Sequence, residues 1–155
     1  MKIQWKKLLI LLTIPLAVGG LAAILSGPMD TYSQLEKPPL SPPGWLFPVA
    51  WTVLYLLMGY SSYLIATANA PAEQKKRALI VYGAQLAVNF IWPLLFFRAQ
   101  LLLPAFIWLL LLWMLIFLTM RAFLKITEKA GDLLIPYLLW VTFAGYLNFG
   151  IYILN

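Results

Sequence analysis

Apolar residues fall along this chain in five long blocks, separated by short segments that hold nearly all of the charge. The blocks are Leu8–Leu25, Trp45–Ala68, Ala78–Phe97, Leu101–Leu124 and Leu133–Leu154. Only Arg121, near the end of the fourth, interrupts them with a charge. About 20 mostly apolar residues carry a helix across the hydrocarbon core of a bilayer. A spanning backbone must satisfy its own hydrogen bonds, which leaves helices or a closed barrel. The blocks are continuously apolar and lack the alternation of barrel strands. The pattern therefore predicts an all-α membrane protein, a five-helix transmembrane bundle forming one domain over residues 1–155.

The polar segments give the topology. With five spans, the N-terminus, the second loop and the fourth loop share a side. That side carries Lys2, Lys6, Lys7, Lys75, Lys76, Arg77, Arg121, Lys125 and Lys129; the other carries Lys37 and Arg98. The acids do not alter this bias, since Glu73, Glu128 and Asp132 lie with the bases and Asp30 and Glu36 lie opposite. Under the positive-inside rule the N-terminus faces the cytoplasm and the C-terminus the outside. The same placement accounts for the net charge of +6 without nucleic acid as a partner. Lysines before an apolar run, with Ala22-Ala23 after it, also resemble a signal peptide. The run stays apolar as far as Leu25, longer than a usual signal core, and is read as a retained span.

One connection is long. Residues 26–44 contain Pro28, Pro38, Pro39, Pro42 and Pro43 and lead into Trp45 and Phe47. Proline fixes φ and restricts the residue before it. Long loops in compact domains usually have a task. This segment is read as a stiff lid over one end of the bundle, with a plain connector as the alternative.

Composition narrows the chemistry. The 155 residues include no cysteine and no histidine. That excludes disulfides, Cys/His metal sites, and haem ligated by either residue. No carboxylate, Lys or Arg lies mid-membrane, which argues against an ion-coupled transporter. Nor does an inverted repeat with interrupted spans occur. No pair of acids lies near the aromatic residues, so hydrolytic acid–base chemistry is not expected.

Aromatics make up 15% of the chain, and Trp51, Trp92, Trp113 and Trp140 lie too deep in their spans to be interface anchors. Trp51 and Tyr55 share a helix face, as do Gln85, Asn89, Trp92 and Phe96, and as do Trp140, Ala144, Leu147 and Ile151. The amides of Gln85, Asn89 and Asn148 must turn inward in lipid. Three spans thus converge either on an aromatic pocket suited to a flat ligand or on helix–helix glue; spacing leaves both open. Gly19-x-x-x-Ala23 and Gly83-x-x-x-Ala87 fit small-xxx-small packing, the latter as a homodimer contact.

Three runs in order are distinctive: Pro42-Pro43-Gly44-Trp45 with Phe47-Pro48, Trp51-Thr52 and Tyr55; Gln85-Leu86 with Asn89, Trp92 and Phe96-Phe97; and Pro136 to Trp140 with Leu147-Asn148. Together they resemble the translocator protein family, also called tryptophan-rich sensory proteins, over nearly the whole chain. The resemblance implies a pocket open toward the long first loop, and a dimer. It implies no required cofactor. Porphyrin, notably protoporphyrin IX, is the implied ligand or substrate; animal members also bind cholesterol and isoquinoline-type compounds. The output implied for bacterial members is control of tetrapyrrole levels or light-dependent porphyrin breakdown. Position by position, the implied ligand-lining set is Tyr32, Pro42, Phe47, Trp51, Tyr55, Asn89, Trp92, Trp140, Phe143, Ala144 and Leu147, with Trp51 and Trp140 as the photochemical pair. Asn89 is the expected polar contact, and a metal-free porphyrin suits a chain without histidine. The proposed sterol pattern needs a base after its tyrosine, and Tyr152 is followed only by Ile153-Leu154-Asn155. A bacterial plasma membrane is the expected home.

Overall fold

The computed structural model describes residues 2–28 and 30–155; Met29 of the proline-rich segment lies outside them. Five helices are long and apolar enough to cross a membrane. Helix α1 runs Trp5–Ser26, and the short α2 is Asp30–Gln34. Helix α3 is Leu46–Ala66, and α4 is Ala72–Pro93, continued by a π-turn over Leu94–Arg98. Helix α5 is Leu102–Leu124, the short α6 is Glu128–Asp132, and α7 is Ile135–Leu154. The apolar blocks thus mark the spans, and the helices outrun them mainly at their basic ends. Lysines 6 and 7 lie inside α1, and α4 begins six residues before its apolar block. Long basic side chains keep their charge in water while their stems lie on the apolar surface.

Local chemistry explains the breaks. Gly27 follows α1 at φ 81°, a left-handed conformation open to glycine, and Pro28 cannot resume the helix. Pro93 has no N–H for the Asn89 carbonyl four residues back, and the ladder widens into the π-turn directly afterwards. Pro136 stands in the first turn of α7, where its missing donor costs nothing.

Helix α1 packs on α3 and α4, α4 on α5, and α5 on α7. Between α3 and α7 the ring of helices is closed mainly by side chains: Trp51 and Phe47 reach Trp140 at 6.4 and 6.1 Å between ring centres. The two ends of the bundle differ. At the basic end, the backbone of α1 lies against Gly59 of α3, where an added Cβ would stand 2.7 Å from Leu12 Cα and 2.8 Å from the Leu11 carbonyl oxygen. Pro15 provides no N–H for that carbonyl, and the bare Gly59 backbone packs onto it instead. At the long-loop end the same two helices are held apart by rings.

Candidate ligand-binding site

The rings of Phe47, Trp51 and Tyr55 follow each other at four-residue spacing along α3, so they project from one face. Trp51 and Tyr55 stack at 5.6 Å between centres with 27° between planes. Opposite them Trp92 of α4 comes within 6.4 Å of Trp51 and stacks on Phe96 at 5.2 Å. The third wall is α1, whose middle presents only Gly19, Gly20, Ala22 and Ala23 between Leu16 and Ser26. Gly19 receives the Tyr55 ring directly, and any Cβ there would overlap it. Bulky residues on two helices facing small residues on a third leave a cavity of about 360 Å³ at the long-loop end of the bundle. Sites for small molecules commonly fall in the range of about 300–1,000 Å³.

Beneath the rings runs a chain of buried hydrogen bonds. Tyr55 Oη donates to Asn89 Oδ1 at 3.0 Å, and Asn89 Nδ2 donates to Tyr137 Oη at 2.6 Å. Tyr137 Oη donates in turn to Gln85 Oε1 at 2.7 Å, and Gln85 Nε2 faces Met58 Sδ at 4.0 Å. A second link fixes Trp92: its indole donates to Asn148 Oδ1 at 3.1 Å, and Asn148 Nδ2 donates to the Leu102 carbonyl at 2.9 Å. In a membrane interior such groups must find partners in the protein, and here they fix the floor of the cavity. Among the described residues the buried Trp140 Nε1 has no partner, so this indole keeps an unused donor beside Phe47 and Trp51.

The residues singled out from sequence fall into three groups. Phe47, Trp51, Tyr55, Asn89 and Trp92 line the cavity. Trp140 touches its rings from behind and packs on Phe143 at 5.8 Å; Ala144 and Leu147 are buried in the core of α7. Tyr32 and Pro42 belong to the long loop. The buried Tyr32 hydroxyl donates to the Pro42 carbonyl at 2.7 Å, and burial pushes this phenol up to about 12. The loop itself is fastened to α7. Tyr146 donates to the Pro39 carbonyl at 2.6 Å, Pro38 sits over Gly150, and the Asn155 amide bonds both the N–H and the carbonyl of Glu36. The α1 wall is the part that sequence reasoning missed. Its signal was present in Gly19-x-x-x-Ala23, read only as a helix contact. Tyr137, the centre of the polar chain, also escaped, because a tyrosine at that depth carries no mark of its partners.

These features define an integral membrane protein of five spanning helices with an aromatic-lined interior cavity. The pattern of the TspO/MBR family matches residues 11–154. The tryptophan-rich protein TspO of Chlorobaculum tepidum is 40% identical over 124 residues, 80% of this chain and 78% of that one. The tryptophan-rich sensory protein of Cereibacter sphaeroides is 38% identical over 149 residues, covering 96% of this chain and 91% of that one. The sheep translocator protein is 40% identical over 119 residues, 76% of this chain and 70% of its own length. The chain belongs to the TspO/MBR family.

Proposed function

We propose that this protein is a membrane receptor for a porphyrin, with protoporphyrin IX as the leading ligand, and that it serves the sensing or regulation of tetrapyrroles. One observation carries the reading: five rings, Phe47, Trp51, Tyr55, Trp92 and Phe97, converge on one cavity of about 360 Å³ whose α1 wall is mostly glycine and alanine. A flat macrocycle stacks on such rings and needs a smooth facing wall. The name of the Cereibacter sphaeroides relative supports the sensory role. The bacterial plasma membrane is the proposed location, with the basic end cytoplasmic. On α4, Gly83 and Ala87 are exposed, and nothing lies within 4 Å of a Cβ at Gly83, which suits a homodimer contact through that face.

The test is titration of the purified protein with protoporphyrin IX in the dark, following tryptophan fluorescence. Saturable quenching that weakens in Trp51→Ala and Asn89→Ala supports the reading. Quenching that is unsaturable, or identical in the variants, removes it.

A second reading is favoured by the contact of Trp51 with Trp140 at 6.4 Å, beside Trp92 at 6.4 Å. Neighbouring indoles suit a protein that degrades bound porphyrin in light and oxygen, with Trp51 or Trp140 trapping radicals. Illumination of the complex then changes the porphyrin bands, and Trp51→Phe or Trp140→Phe loses that change while keeping much of the binding. Transport of porphyrin or other hydrophobic molecules is the third reading, tested by uptake into sealed vesicles.

A further inference from the structure

The hydroxyl and indole donors in the cavity wall are spent within the protein except the Trp51 indole, a single neutral N–H that makes no hydrogen bond among the described residues. Ser26 Oγ donates to the Ala22 carbonyl and Thr52 Oγ1 to the Pro48 carbonyl, each at 2.6 Å. Tyr55 and Trp92 are held by Asn89 and Asn148, and Asn89 is shared with Tyr137. A charged group buried among them would lose its water with nothing adequate in return. An ionised end of a ligand must therefore sit at the rim.

One cation stands there. Phe97 lines the cavity, and the next residue, Arg98, reaches across to α1, donating from Nη1 to the Leu25 carbonyl at 2.8 Å. The next two residues, Ser26 at the end of α1 and Gly27 just after it, line the cavity as well. The guanidinium thus bridges the two walls at the mouth. It is exposed, and no carboxylate among the described residues pairs with it. Lys37, the other base at this end, is occupied by the Leu35 carbonyl at 2.9 Å and the face of the Tyr32 ring at 4.9 Å. A guanidinium carries five donors in a planar fork that fits a carboxylate, and the Leu25 contact leaves most of them free.

We propose that Arg98 is a specificity residue, and that the cavity takes anionic amphiphiles: a flat apolar body among the rings, with a carboxylate held at the rim by Arg98. This rests on the cavity being the ligand site. For a porphyrin it fixes the orientation, acid side chains toward the long-loop surface and the bare edge toward Asn89.

The test is a dark titration with protoporphyrin IX and with its dimethyl ester, which keeps the macrocycle and loses the charge. Wild type is compared with Arg98→Gln and Arg98→Lys. In Arg98→Gln the diacid weakens by about three- to tenfold, the range of a partly exposed charge-assisted contact, while the ester is unchanged; Arg98→Lys recovers part of the loss. Equal weakening of both ligands means that Arg98 only staples α1 to α4, and an unchanged ratio means that it reads no charge; either overturns the proposal while leaving the ligand site standing. Failure of wild type to bind either compound overturns the ligand site itself and the proposal with it.

Discussion

The contact between α1 and α3 is built in two ways along its length. At the basic end Gly59 lets the two backbones touch at Leu11 and Leu12. Around it lie Met58, Ser61, Ser62 and Ile65, none with measurable exposure, and Ser61 Oγ donates at 2.6 Å to the Ala130 carbonyl before α7 begins. At the long-loop end Gly19 meets a ring instead of a backbone, and beyond that ring is empty space. Glycine does opposite work at the two places. Gly59 removes volume so that helices close, whereas Gly19 removes volume so that a side chain can stand between helices and keep them apart. Without a hydrophobic force between helices in lipid, close packing of the first kind is what holds such a bundle together; the second kind gives up packing for a cavity.

The largest expected effects break that contrast. Gly59→Val presses a branched side chain into the α1 backbone, which cannot yield without moving the helix. Overpacking of this kind costs about 3 kcal/mol or more, and the variant should lose its cooperative melt in detergent. Gly19→Val presses only on the Tyr55 ring, which has the cavity to swing into. Its stability cost should stay near 1 kcal/mol, mainly the lost Tyr55–Asn89 hydrogen bond, while porphyrin quenching disappears. A Gly19→Val as unstable as Gly59→Val would mean that the cavity has no room to give.

Large-to-small changes sharpen the same comparison with opposite chemistry. Met58→Ala opens a hole in the closed half and should cost about 2–4 kcal/mol, with ligand affinity barely altered. Trp51→Ala enlarges a space that already exists, so its stability cost should be the smaller of the two despite the larger side chain. Its affinity loss should be about tenfold or more, the order of a lost aromatic stacking partner. Paired thermal melts and quenching titrations decide it; parallel losses in both assays would erase the distinction between halves.

The polar chain joins the halves. Tyr137 Oη accepts from Asn89 and donates to Gln85 with no measurable room for water, at 1% exposure. Tyr137→Phe strands an amide donor and an amide acceptor together, for about 2 kcal/mol. Tyr55→Phe strands only Asn89 Oδ1, at the cavity edge, and should cost about half of that. Equal melting points for the two variants would show that water reaches both positions.

The spans were legible because bilayer thickness and the cost of unpaired backbone act on continuous sequence, and the five apolar blocks record both. Rings at four-residue spacing, Phe47, Trp51 and Tyr55, were legible for the same reason: a helix converts spacing into a face. What spacing does not carry is which face meets which. The amides of Gln85 and Asn89 had to turn inward, but their partner Tyr137 comes from another helix. Nor does a small residue say what it makes room for. Gly19 and Gly59 read alike in sequence, and the difference between them is supplied by the chain that folds against each.

The smallest effect lies in the long loop. Tyr32 packs edge-on against Phe47 at 5.0 Å and donates to the Pro42 carbonyl, so one phenol ties the loop both to itself and to the first ring of the cavity. Burial raises this phenol from 10.0 to about 12. A raised acid keeps its proton in the docked loop and loses it sooner when the loop is released. Docking is therefore fully stable below pH 10, and its stability falls as pH rises from 10 through about 12. Ultraviolet titration of tyrosinate should show one group fewer ionising near 12 in Tyr32→Phe than in wild type. The variant should also lose that part of the alkaline release of the loop, read from the fluorescence of the exposed Trp45. If the group lost in Tyr32→Phe is instead one that ionises near 10, Tyr32 is not held in the docked loop, and the loop is a connector lying loosely on α7.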